Sequence, residues 1–272
     1  KKGDHMPDIT VRGTFKPDPS YNHVEEVERS IQMMRKYLDN QLSIIDNIGD
    51  QTMQLICMFS LIDCLAQEWA GYPTGKSKEA FCKFVLQHQS KYDYLDGVEP
   101  VTLHYHVEDL IKESDIEHIE SIASLKTLCI SKNCLAKHAI KTMKAKMILE
   151  YLEKIKNKDF ALTKAKEHQL ITLIYRMRSK ATHEMTGLGE KNNTLMETKL
   201  TEPFYRNVLR GYVLDDKIVS EFAYELVIPN IFIRDLLADC INGYLIECKI
   251  EKKLPFGNNS ILRKHRLTWY DK

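Results

Sequence analysis

The chain has 272 residues, 43% of them apolar and 28% charged, and 39 basic against 38 acidic side chains leave a net charge of +1. That length supports a hydrophobic core without disulfides or metals, and the near-zero charge excludes a globally basic nucleic-acid binder. With 11 Gly and 8 Pro the chain is neither collagen-like nor a disordered tether. No apolar run approaches the roughly 20 residues of a bilayer span, so no membrane partner is expected.

Lys1 to His5 reads as an expression remnant ahead of Met6, and residues 1–20, with Pro7, Gly13, Pro17 and Pro19, as an extended arm with a short strand over Ile9 to Phe15. Asn22 then caps a helix whose stripe is Val24, Val27, Ile31, Met34, Leu38, Leu42 and Ile45. The next helix, about Asp50 to Ala70, is apolar on nearly every side, which predicts a central position, and Gly71 and Pro73 end it. A third starts at Ser77 and carries Ala80, Phe81, Phe84 and Val85; Tyr92 to Pro100 is a loop. Short helices are expected over His104 to Ile111 and Ser114 to Leu128, an amphipathic one over Cys134 to Lys156, and another from Leu162 to about Met185, with Gly187 and Gly189 as terminators.

Beyond Thr201 the period changes. Phe204 to Leu214 and Ile218 to Ile228 flank Asp215-Asp216, and the second segment alternates in twos, a hairpin pattern. A last helix, Ile231 to Lys252, has the apolar set Ile233, Leu236, Leu237, Cys240, Ile241, Tyr244, Leu245 and Cys248. The fold class is therefore mainly α: one helical domain over residues 21–272, with a bundle core at about 21–190, an accessory C-terminal β-hairpin at about 204–228 and a final helix at about 231–252.

Charge is uneven within this frame. Nine acidic residues and one Lys lie between Asp93 and Glu120, whereas Lys132 to Lys180 holds thirteen basic and four acidic residues, a block able to meet phosphates. The cysteines, Cys57, Cys64, Cys82, Cys129, Cys134, Cys240 and Cys248, form no CxxC pair. With no secretory signal they read as small core residues of a cytoplasmic protein. Phosphate-binding glycine loops, HExxH and GxSxG are absent. His104-x-His106, near Glu108 and Asp109, has a zinc-like spacing, but no second fixed spacing joins it, and it reads as surface or loop-packing histidine. No metal and no cofactor are expected.

The segment Leu173 to Glu184, LIYRMRSKATHE, carries the chemistry. At 100° per residue Leu170, Ile174, Met177 and Ala181 share the buried side, and Arg176, Ser179 and His183 fall within about 60° on the polar side. Arg178 sits at one margin of the apolar face, and Lys180 adds positive charge. Asp63 is the one acid within the apolar run Leu55 to Ala66 of the second helix, readable equally as a hydrogen-bonded core carboxylate.

An Arg followed four to six residues later by His, late in a helix of an all-α bundle, resembles the signature of the HEPN superfamily (higher eukaryotes and prokaryotes nucleotide-binding domains). Arg178 to His183 has the four-residue spacing and Arg176 to His183 the six-residue spacing. Members often carry Asn, Asp or His directly after the Arg; here it is Ser179. The resemblance implies a metal-independent endoribonuclease that acts as a homodimer with two motifs facing each other, often as a toxin or phage-defence effector. RNA is then a partner, and an antitoxin or regulatory protein a further one. Its implied roles are His183 as acid or base, Arg178 as stabiliser of the phosphate, and Arg176, Ser179 and Lys180 as phosphate contacts. An imidazole moves protons near neutral pH and a guanidinium never loses its charge, so neither role needs a metal. The alternatives are a non-catalytic helical module that binds RNA, nucleotide or a partner protein, and a pure assembly protein.

Overall fold

A computed structural model describes residues 23–71, 74–113, 123, 158–184, 201–214 and 217–255. Among them are seven helices and two strands: α1 (His23–Asp46), α2 (Gln51–Ala70), α3 (Ser77–His88), α4 (Pro100–Glu113), α5 (Lys158–Glu167), α6 (Leu170–Glu184), β1 (Phe204–Leu214), β2 (Lys217–Val227) and α7 (Asn230–Ile250). The expected arm, the cap at Asn22, the helices over Ser114–Leu128 (Ala123 apart) and Cys134–Lys156, the Gly187 and Gly189 terminators and the Asp215-Asp216 turn lie outside the described residues.

Local chemistry sets the ends of α2. Asp50 accepts the Met53 N–H at 2.7 Å as an N-cap. Gly71 adopts φ 73°, a left-handed conformation that costs a glycine nothing, and its N–H closes on Gln67 and Glu68 carbonyls. The α1 stripe is buried as its spacing predicts at Val27, Leu38, Leu42 and Ile45, but Val24 is exposed, one turn before the contact begins. α1 lies antiparallel on α7, fastened by Arg35 to Asn242 at 2.7 Å and by Arg234 to Asp46 at 2.9 Å. All eight apolar residues predicted for the last helix are buried.

The core joins Leu55, Phe59 and Ile62 of α2, Phe81 and Phe84 of α3, Ile171 and Ile174 of α6, and Phe232, Leu236 and Tyr244 of α7 around Leu38 of α1. Burying such side chains stabilises by about 1.5–3 kcal/mol each. α2 is central but not enclosed: Met53, Ser60 and Cys64 are exposed on its outer face. An all-apolar helix needs only neighbours on most sides, and α1 and α6 leave one side open.

Two predicted boundaries move. α4 starts at Pro100, four residues before the expected His104, because the buried Glu99 carboxylate accepts the N–H groups of Val101 and Thr102 at 2.8 and 2.7 Å. The single helix predicted from Leu162 is two helices, broken at His168 and Gln169. Gln169 forms an antiparallel bridge with Val98, and the Leu170 and Ile171 N–H groups donate to Gly97 and Leu95 carbonyls instead of to the preceding turn. No Gly or Pro marks the break, so long-range pairing overrides a continuous helical period.

The strands pair antiparallel in register from Phe204↔Val227 to Leu214↔Lys217. Tyr205, at the base of the ribbon, donates its hydroxyl to Glu99 and so ties β1 to the start of α4.

Candidate functional site

α6 is built as the wheel predicts. Leu170, Ile174 and Ala181 are buried and Met177 is half-buried against the core. That seating turns Arg178 toward α2, where its Nη2 donates to Asp63 Oδ2 across a separation of 115 residues. The two side chains are 15% and 17% exposed, so the pair sits at the rim of the core. Tyr175, one turn earlier, lies under the guanidinium with its ring centroid 5.5 Å from Cζ, and Phe81 meets that ring edge-on at 5.4 Å. A carboxylate and an aromatic face together hold the guanidinium in one orientation. Asp63 Oδ1 and Gln67 Nε2, neighbours one turn apart on α2, are buried without hydrogen-bond partners among the described residues.

The two arginines diverge. Arg176, two residues from Arg178, projects to the other flank of the helix. Its Nη2 is 3.6 Å from Glu167 Oε2, and the side chain is 46% exposed. Lys164 approaches the same Glu167 at 3.5 Å. Ser179 is half-buried and Lys180 exposed. His183 lies in the last turn of α6, with its side chain outside the described residues. The predicted set is thus on one helix, with Arg178 facing α2 and Arg176 facing α5.

Sequence reasoning singled out Asp63 without its partner, and the lone acid in an apolar run was the usable signal. Tyr175 had no such signal. Cys64 is exposed rather than packed. Its thiol is pushed up by partial burial and by Glu68 and Asp63, which disfavours a nucleophilic thiolate beside the site. Cys240 and Cys248 are buried as expected, Cys57 and Cys82 are half-buried, and Cys129 and Cys134 lie outside the described residues. His104 and His106 are half-buried on α4 rather than in a loop, and the His106 ring packs against His168 at a tilt of 38°, with centroids 5.0 Å apart. Among the described residues no three His, Cys, Asp or Glu gather as metal ligands, and no helix is long and apolar enough to cross a membrane.

A second polar cluster lies where α3, α2 and α7 meet. Glu247 accepts from His88 Nε2 at 2.9 Å, Gln87 Nε2 at 2.5 Å, Trp69 Nε1 at 3.2 Å and Lys253 Nζ at 2.5 Å. His88 Nδ1 faces the Phe84 carbonyl at 2.8 Å. Burial pushes the Glu247 carboxyl up, but the bonds from Lys253 and Gln87, the His88 ring and Trp69 outweigh it and hold it below its ordinary range. Here α7 comes so close that a Cβ on Gly243 would stand 2.0 Å from the His88 carbonyl oxygen.

The chain matches no protein-family model, no curated protein and no solved structure.

Proposed function

We propose that this chain is a metal-independent endoribonuclease of HEPN type, acting as a homodimer on RNA, in the class of toxins or phage-defence effectors. The reading rests on one observation above all: Arg178, which begins the Arg-x4-His spacing, is oriented by Asp63 from α2 and by the Tyr175 ring. A guanidinium fixed before substrate arrives stabilises developing charge on a phosphate without reorganising. In this mechanism the RNA 2′-hydroxyl attacks the adjacent phosphorus while His183 moves the proton. Arg178 stabilises the extra charge, and Arg176, Ser179 and Lys180 hold neighbouring phosphates. Asp63 and Tyr175 act as positioning residues. Attack by the 2′-hydroxyl leaves a 2′,3′-cyclic phosphate and a 5′-hydroxyl end.

The test is cleavage of mixed RNAs in EDTA, with end-group analysis. Cyclic-phosphate ends are expected, together with losses of at least about 100-fold in His183→Ala and Arg178→Ala, the scale of one general acid–base or charge-stabilising group. Intact RNA at high protein concentration, or cutting that persists in His183→Ala, overturns the assignment.

A second reading has its own support. Both guanidiniums are engaged with carboxylates of the chain itself, Arg178 with Asp63 and Arg176 with Glu167, as in a non-catalytic helical module that binds RNA, nucleotide or a partner protein. Salt-sensitive RNA binding without turnover is its signature.

A further inference from the structure

The corner between α5 and α6 is stapled to the loop that precedes α4. The Glu99 N–H donates to the His168 carbonyl at 2.7 Å, the Leu170 N–H to Gly97 at 2.7 Å and the Ile171 N–H to Leu95 at 2.9 Å. Gln169 Nε2 adds a bond to the Asp96 carbonyl at 2.9 Å. One imidazole stands at the middle of these contacts. His168 is 5% exposed, its Nδ1 is 3.0 Å from Thr102 Oγ1, and its Nε2 is buried with no hydrogen-bond partner among the described residues.

The surroundings suit only an uncharged ring. From α4 it meets the His106 ring, from α6 the charge of Arg176 and from α5 that of Lys164. The nearby acids are engaged elsewhere. Glu167 stands between Lys164 and Arg176, and the Glu99 carboxylate takes the Val101 and Thr102 N–H groups and the Tyr205 hydroxyl from β1. A proton on His168 adds a buried cation that no carboxylate of the described residues neutralises.

We propose that His168 is the pin of an acid-operated latch: the neutral ring holds the α5–α6 corner on the Leu95–Thr102 segment, and its protonation releases that segment and the β-ribbon fastened to it through Glu99. The device is independent of the RNA reading. Burial first, then His106, Arg176 and Lys164, press the His168 pKa down to about 3, whereas a solvated imidazole titrates near ~6.5. The closed-state value lies below the open-state value, so the latch holds fully above pH ~6.5. It weakens by about tenfold per pH unit as the pH falls toward 3.

Amide hydrogen exchange on the full chain at pH 7.5 and pH 5.0, corrected for intrinsic rates, tests this. Opening at the amides of Glu99, Leu170 and Ile171 should rise about 30-fold at the lower pH, and these amides should stay less protected than those of Leu236 and Leu237 in α7. His168→Phe should abolish the rise. The proposal fails if the corner amides open no more at pH 5.0, if they open only together with α7, or if the rise persists in His168→Phe. NMR titration of the wild-type ring decides the matter even where that variant does not fold: a native value above about 6 overturns the latch, and one below about 4 supports it.

Discussion

Glu247 on α7 and Asp63 on α2 each meet a cationic or imidazole partner across a helix boundary, yet the two sites are finished differently. Around Glu247 both oxygens are filled by four donors from three segments, and a glycine lets the helices close on them. At Asp63 one oxygen takes Arg178, the other has no partner among the described residues, and the pair stands at the rim, beside an exposed helix face. The filled site fixes one arrangement of α2, α3 and α7. The rim site fixes the orientation of one guanidinium. A fully satisfied polar network rigidifies the elements it joins, whereas a carboxylate oxygen left without a partner gives up that stabilisation.

The strongest way to break the filled site is Gly243→Ala. The added Cβ drives α7 from the His88 backbone, and we expect a loss of about 3 kcal/mol, at the upper edge of ordinary overpacking costs, in urea unfolding. Unchanged stability would mean the crossing is looser than described. Next is Glu247→Ala, which leaves the buried His88 ring and the Trp69 N–H without their acceptor. We expect about 2 kcal/mol, the scale of a donor left unpaired in the interior.

The pH dependence sharpens the contrast. Glu247 is held below its ordinary range, so its contribution is present above the unfolded carboxyl value near ~4.3 and is lost as pH falls through the folded one. Glu247→Gln should flatten the stability profile between about pH 5 and pH 3, read from denaturant midpoints. An unaltered acid limb would show that other carboxylates carry it.

At the rim, Asp63→Asn should cost only about 1 kcal/mol, because solvent screens a partly exposed pair. On the ribonuclease reading it should lower kcat about tenfold while leaving KM nearly unchanged, since Asp63 acts through Arg178. A proportional loss of stability and activity would make the pair purely structural. The smallest effect belongs to Arg176→Ala, with stability within about 0.5 kcal/mol of wild type. RNA affinity should then depend less steeply on salt, by about one unit of slope.

Much of the fold was legible along the chain. The apolar spacing of α7, the terminating glycine after α2 and the period-two ribbon are local patterns, and each reports burial or backbone geometry directly. The buried side of α6 was equally plain, since Leu170, Ile174 and Ala181 recur at helical spacing. The open face of α2 was not, because an all-apolar helix carries no mark of which side its neighbours leave bare.

By itself, then, the amino-acid order determined most of the helix and strand among the described residues and which stripe of α6 and α7 turns inward, because side-chain periodicity is written at separations of two to four residues. Tertiary packing alone decided that Arg178 answers Asp63 while Arg176 turns to Glu167, that the helical run breaks at His168, and that Glu247 gathers four donors. Those outcomes join residues tens to more than a hundred positions apart in most cases, and a distant carbonyl or carboxylate outbids the local period only once the core has brought it within bonding reach.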